Sequence, residues 1–421
     1  MDRQRCARLL AAVALVLTAR GSADAPPAAS LHLAVCGLTM DYVEPCGCGG
    51  QNAGGLARRA TLLAELRRAQ PDLIVVDPGL LGSDPGALPV TARSLAAMGV
   101  DGLGLADSDL EQWPTLAPLL AADGLSATTV TPLAPAAGQP PAPPRCLVLG
   151  AAGGPRRGRV AVSWGALTRA EMMTAVRTAL AEARRLGASH TALAAHLTRA
   201  DAEKLLAALP DAELPELVLL ATEDNFPRPP DTTGGVTWVP VAQKGRSLSV
   251  ITLAPGRPPA VEQRLVGEGP RDPLVQGWVD DYNAWVLKGE HGVSTDVAAS
   301  FPRPAACVKC HGAIVERWRA HPHSHAVETL IERKRDTAAC LRCHDERLRR
   351  DGVRSDTGDR GVECASCHDR LAEHVDRQAK AATPGRERCL GCHSAENSPH
   401  FDYEVYLKSV REVCRADGTA K

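Results

Sequence analysis

The sequence predicts an α/β layered domain followed by a mostly α-helical, loop-rich segment, and three observations carry that reading. Apolar strand-like runs alternate with amphipathic helices from Leu31 to about residue 268. A helix striped with Trp278, Tyr282 and Trp285 then marks a change of pattern. Beyond about residue 300 the long periodic apolar runs stop, while Cys and His accumulate.

The elements follow in order. "LHLAVCGL" is a short apolar run suited to a strand, and "GGLARRATLLAELRRAQP" is an amphipathic helix stopped by Pro71. "DLIVVDPG" reads as a strand, "VTARSLAAMGV" as a helix, "DGLGLA" as a strand and "WPTLAPLLAADG" as a helix. A Pro/Ala-rich loop from Pro132 to Pro144 interrupts the series. The helix "RAEMMTAVRTALAEARRLG", the strand "TALAAHL", the helix "RADAEKLLAALP" and the strand "ELVLLAT" resume it, and "TWVPVA", "RSLSVITLA" and "AVEQRLV" close it as consecutive strands. The expected division is 1–25 signal peptide, 26–268 α/β domain, 269–300 helical linker and 301–421 the Cys/His-rich domain.

Composition narrows the function. The net charge of -1 over 421 residues gives no footing for a nucleic-acid partner. Arg3 and Arg5, the apolar run Leu9 to Thr18, and Ala23-Asp24-Ala25 read as a secretory signal. That run is too short to span a bilayer. The expectation is therefore an exported, periplasmic protein, with membrane association only through a retained N-terminal segment.

Among the 14 cysteines, Cys307/Cys310, Cys340/Cys343, Cys364/Cys367 and Cys389/Cys392 form four Cys-x-x-Cys pairs. Each pair runs directly into a histidine: His311, His344, His368 and His393. Two thiols three positions apart can add to the two vinyl groups of one haem, and the adjoining imidazole then lies under the iron. A zinc ribbon also uses such pairs but has no need of His after every one. The expected cofactor is haem c, four copies, covalently attached.

Each iron has a second axial position. All five methionines, Met1, Met40, Met98, Met172 and Met173, precede this region, so the candidate donors are His321, His323, His325, His374 and His400. His/His ligation predicts low-potential haems. The region is too poor in apolar runs to build its own core, so porphyrin must supply buried surface, and Arg333, Lys334, Arg335, Arg347, Arg349 and Arg350 are available to neutralise propionates or to form a solvated face.

"CVKCHGAIVERWRAHPHSHAVETL", "CLRCH" and "GVECASCHDRLAEH" resemble the tetrahaem cytochrome c family known from ammonia-oxidising nitrifiers. The resemblance covers about 120 residues and implies closely stacked porphyrins, with Trp318 at the family's aromatic position and His374 at its histidine after the third motif. The family's ligand five residues after Trp falls on His323, whereas the Ser-His-Ala match falls on His325; both stay open.

The N-terminal region resembles the metallophosphatase and nucleotidase fold through "EPCGCGGQNAGGLARRATLL", "LIVVDPG", "MGVDGLGLADSDL" and "LAAHL". That family holds two cations with Asp, His and Asn. Here Asp41-Tyr42-Val43, Gly79-Leu80, Ala106-Asp107-Ser108 and Thr222-Glu223 stand where its ligand motifs fall, and Asp77 and His196 are isolated matches. The resemblance therefore implies a degenerate scaffold without its metals. Cys46 and Cys48 flank Gly47 before the first helix, and in an oxidising compartment a disulfide to Cys36, Cys146 or Cys414 is expected.

The first functional reading is an electron carrier serving redox partner proteins. The alternative is a haem oxidoreductase acting on a small nitrogen or oxygen compound at a five-coordinate iron. A metal-dependent phosphoesterase is the third.

Overall fold

In the computed structural model, two β-sheets account for the N-terminal half. The structure describes residues 30–45, 47, 52–104, 106–122, 144–151, 159–163, 169–185, 190–221, 226–254, 256–287, 301–333, 335–352, 360–377, 379–381, 384–395 and 397–415. The expected signal peptide, most of the Pro/Ala loop, Cys46 and Cys48 lie outside these residues. The chain divides into one unit of residues 1–46 and 52–277 and a second of 47–51 and 278–421.

The first unit contains strands β1 (Leu31–Val35), β2 (Ile74–Asp77), β3 (Gly102–Leu103), β4 (Pro144–Ala151), β5 (Arg159–Ser163), β6 (His190–Ala195), β7 (Leu217–Ala221), β8 (Asp231–Thr233), β9 (Val236–Val241), β10 (Ser247–Leu253) and β11 (Ala260–Leu265). One sheet has the order β11-β10-β1-β2-β3 and the other β5-β4-β6-β7-β9-β8. β1, β2 and β3 run parallel, as do β6, β7 and β9, while β10, β11, β4, β5 and β8 pair antiparallel. The helices are α1 (Leu56–Ala69), α2 (Ala87–Ala97), α3 (Asp107–Glu111), α4 (Trp113–Ala122), α5 (Arg169–Arg185) and α6 (Arg199–Leu206).

Side-chain alternation shows how the layers stack. Leu33, Val35, Ile74 and Val76 of the first sheet share a core with Ala192, Ala194, Leu217, Leu219, Val239 and Val241 of the second. The intervening residues Leu193, Ala195, Val218 and Leu220 turn the other way and pack with Val176 and Leu180 of α5 and Leu205 of α6. The sheets thus face each other, with helices outside. One face of β6 and β7 meets a sheet and the other meets helices, which is why these strands read as unbroken apolar runs.

The second unit is helical. α7 (Pro273–Leu287) runs across the division, with Tyr282 buried and 6.4 Å from Trp285 between ring centroids, a packing contact. Then come α8 (Pro304–Arg319), a 3-10 turn at Pro322–His325, α9 (Ala326–Glu332), α10 (Ala338–His344), α11 (Glu346–Asp351), α12 (Cys364–Cys367), α13 (Leu371–Arg377), α14 (Arg386–Leu390) and α15 (Tyr403–Val413). Its buried apolar residues include Val315, Trp318, Val327, Leu330, Leu341 and Leu348, and a smaller cluster holds Phe301, Ala365 and Leu371, with Cys364 and Ala381 against it. No helix among the described residues is long and apolar enough to cross a membrane.

Candidate functional site

At the carboxyl end of β2, where the sequence suggested remnants of a metal site, the donors are engaged by the protein itself. Arg59 of α1 donates from Nη1 to Asp77 Oδ2 at 3.4 Å, with both side chains fully buried, and from Nη2 to Thr39 Oγ1 at 3.2 Å. Asp77 Oδ1 also accepts the Gly79 N–H. Burial pushes the Asp77 carboxyl up to about 7 against the lowering effect of Arg59 and the Gly79 amide. Asp109 accepts the N–H groups of Leu80, Leu81 and Ala106, and burial pushes it up to about 6. Asp41 accepts those of Ser83 and Asp84, and the His196 ring N–H donates to the Pro78 carbonyl at 2.5 Å.

Two divalent cations need several unshared anionic donors around one point. Here a guanidinium already neutralises Asp77, main-chain amides saturate Asp41 and Asp109, and among the described residues no group of three or more His, Cys, Asp or Glu could hold a metal. The residues do not fit a two-metal centre. Of the three partners expected for Cys46 or Cys48, Cys36 and Cys414 are free thiols. Cys36 is fully enclosed at the end of β1, and burial together with the Asp77 charge pushes its thiol up to about 12.

The second unit assembles its motifs in a crossed pattern. α8 carries Cys307 and Cys310, with the helix kinked at His311 (φ −125°, ψ 31°); α10 carries the second motif, α12 the third, and α14 opens the fourth. Helical spacing puts the two thiols of a motif on one side of a turn. Between motifs, the neighbouring Cys364 lowers the Cys307 thiol against burial, and Cys343 does the same for Cys392. The first motif therefore lies beside the third and the second beside the fourth, and Cys389 of the fourth also lies near Cys367 of the third.

The histidines cross in the same way. His311 and His374 lie with ring centroids 5.9 Å apart, 23° from parallel. His323 lies 5.9 Å from His393 and 5.1 Å from His321, which stacks on Trp318 at 5.0 Å. Burial, reinforced by His321, His393 and His344, pushes the His323 imidazole down to about 4, so it is neutral, as an iron ligand must be. His323 Nδ1 is buried without a hydrogen-bond partner.

The segment carrying these histidines is clamped. Val362 N–H donates to the His323 carbonyl at 3.0 Å, and Trp318 Nε1–H donates to the Val362 carbonyl at 3.1 Å. Gly361 has φ +139°, and a Cβ there would come within 2.7 Å of the His323 carbonyl oxygen. This turn directs His323 inward and leaves His325, at the start of α9, exposed. His400 is exposed as well. Of the candidate second ligands, the structure thus brings His323 and His374 to a motif histidine.

The donor set fits haem c. Nδ1 of His344 is hydrogen-bonded to the Ala326 carbonyl at 3.1 Å, and Nδ1 of His374 to the Ala379 carbonyl at 2.5 Å. Such contacts fix the tautomer and leave Nε2 for a metal. Arg349 and Arg350, offered by the sequence as partners for propionates, instead grip the buried Glu346 at 2.6 and 2.5 Å. Arg350 reaches on to Asp369 at 3.9 Å, Arg388 pairs with the same Asp369, and Arg303 lies 3.1 Å from the buried Glu363. Buried carboxylates of this kind require such partners. Burial raises the Glu346 carboxyl, but Arg349, Ser366 and Arg350 together outweigh it and hold the group below the usual carboxylate range.

Residues 306–369 match the family model described as cytochrome c554 and c-prime. No curated protein matches the chain. Among solved structures, the chain is similar to the sulfate thiohydrolase SoxB of Thermus thermophilus (15% identity, TM-score 0.46, covering 62% of this chain and 61% of that one). It is similar to a 5'-nucleotidase precursor, also from Thermus thermophilus (14%, TM-score 0.44, 61% and 59%), and to the NAD nucleotidase of Haemophilus influenzae (11%, TM-score 0.45, 73% and 69%). The chain spans about six-tenths of the length of the first two. The family match takes in the first three Cys-x-x-Cys-His motifs and ends at Asp369, and for this stretch such a match implies haem c binding.

Proposed function

We propose that the protein is an exported tetrahaem c-type cytochrome that carries electrons between redox proteins. Each of the four cysteine pairs bonds one haem, with His311, His344, His368 and His393 as proximal ligands. What carries this reading is the set of four Cys-x-x-Cys-His motifs, three of them inside the stretch 306–369 that matches the cytochrome c554 and c-prime model. When bound, haem supplies a one-electron iron couple. The chain contributes imidazoles whose tautomers are set by main-chain carbonyls at His344 and His374.

The second ligands come from neighbouring motifs. His374 stands six residues after His368, too near to turn back over the same haem, and its ring faces His311. His323 serves the fourth motif on the same ground, facing His393. Ligands exchanged between motifs tie successive loops together and hold the porphyrins near one another. Mass spectrometry of protein made with c-type maturation machinery in a periplasm tests the proposal: four added haem masses support it, and a colourless product with zinc bound overturns it.

One observation favours a second reading. His325 and His400 face solvent, so His321, His323 and His374 are the half-buried donors among the described candidates for four motifs. An iron left with an open position would act on a small nitrogen or oxygen compound. High-spin absorption features and carbon monoxide binding on reduction would establish that reading; four low-spin haems that bind no carbon monoxide would exclude it.

A further inference from the structure

His393 is held differently from His344 and His374. His344 and His374 use main-chain carbonyls, contacts that no substitution removes. His393 instead places Nδ1 2.9 Å from the Ser398 hydroxyl, and its ring lies flat on Phe401, with centroids 4.4 Å apart and planes 11° from parallel. Two independent side-chain contacts therefore act on one imidazole, one in its plane and one on its face.

The turn that supplies both is itself pinned. Ser398 N–H donates to the Ser394 carbonyl at 2.8 Å, Phe401 N–H to the Ser398 carbonyl at 2.9 Å, and Asn397 N–H to the Ser394 hydroxyl at 3.1 Å. The Asn397 side-chain amide reaches back to the Cys392 carbonyl at 3.4 Å, tying the turn to the motif it serves. This ladder turns Phe401 onto the ring and leaves His400 outside. Tyr406 of α15 backs Phe401 at 5.4 Å.

We propose that Ser398 and Phe401 are positioning residues for the fourth motif: the hydroxyl fixes His393 as its Nδ1–H tautomer, and the phenyl face fixes its rotation. The inference rests on the reading of His393 as an iron ligand. An Nδ1–H that donates makes the imidazole a stronger electron donor through Nε2, which favours the oxidised metal. Loss of the hydroxyl then raises the potential of one haem only. Loss of the phenyl face frees the ring to rotate, which changes the paramagnetic signature of that iron.

The test uses the full holoprotein and three variants, Ser398→Ala, Ser398→Thr and Phe401→Leu. Mass analysis of the peptide bearing Cys389 and Cys392 first reports attachment; no haem there in the unsubstituted protein overturns the proposal together with the reading beneath it. With four haems retained, Ser398→Ala shifts one midpoint potential upward and leaves three in place, and Ser398→Thr restores it. Phe401→Leu alters the g-values of one low-spin signal in electron paramagnetic resonance. Unchanged potentials in Ser398→Ala, or an unchanged signal in Phe401→Leu, overturn the proposal while the haem reading stands. Loss of the fourth haem from Ser398→Ala that threonine does not repair shows the serine to be turn packing, and also overturns it.

Discussion

Replacing Arg59 by Met should destabilise the first unit by an amount that grows with pH. Arg59 and Asp77 are fully buried, and the Asp77 carboxyl stands at about 7 instead of 3.8 even with the guanidinium beside it. At 1.36 kcal/mol for each tenfold change in proton affinity, ionising Asp77 in place already costs the fold about 4 kcal/mol at pH 8. The sign follows from the raised value. The folded state holds this proton more tightly than the unfolded one, so the contribution of Asp77 is most favourable below pH 4 and is lost as pH rises through 7. Removing Arg59 takes away the cation that lowers Asp77, so the carboxyl moves higher still. Breaking one side of a buried pair costs roughly 3–5 kcal/mol while the other remains charged. Urea denaturation of the whole protein, followed by far-UV circular dichroism at pH 5 and pH 8, should show a larger loss for Arg59→Met at pH 8. The double variant Arg59→Met/Asp77→Asn should recover much of it. Equal losses at both pH values, or a double variant no more stable than the single one, would refute the reasoning.

Replacing His374 by Ala should leave four haems attached, convert one low-spin iron to high spin and create one carbon monoxide site; four unchanged low-spin haems would show that His374 is not a ligand. Gly361→Ala drives a methyl into the His323 and Ser324 carbonyls at a φ that L-residues avoid, and should cost roughly 1–3 kcal/mol and broaden the signal of the haem that His323 serves, as read by thermal unfolding and paramagnetic resonance. The carboxyl of Glu346 is held low, so its contribution is present above the unfolded value near 4.5 and is lost as pH falls through the depressed folded one. Glu346→Gln should therefore flatten the acid limb of the second unit's stability, and an unchanged acid limb would show that the Arg349–Glu346–Arg350 cluster carries no weight.

Much of the first unit was legible because apolar periodicity is local. β1, β2, β6, β7 and the helices α1 and α5 fall where the runs predicted them. The second sheet was not visible. His190–Ala195 is buried on both faces, and nothing in such a run says whether the far side meets a helix or another sheet. β4 and β5 were missed behind their Pro-rich approach. Arg59 was missed because arginine in an amphipathic helix reads as solvent-facing, although its place on the Leu56, Leu63, Leu66 stripe was a usable signal. In the second unit the spacing groups each pair of thiols with the histidine that follows it, since that pattern is contained within five residues. That His323 turns inward while His325 is exposed depends on Gly361 and Val362, nearly forty residues away, and no local pattern records such a contact.

The crossed order of the motifs bears on how the second unit can be divided. Were the first motif beside the second and the third beside the fourth, half of the segment would be a complete module, free to be duplicated, lost or grafted elsewhere. With Cys307 against Cys364 and Cys343 against Cys392, a cut between the second and third motifs parts both pairs at once. No shorter contiguous piece keeps every neighbour. During synthesis the first motif must wait for the third, and the second for the fourth, before either pair can close.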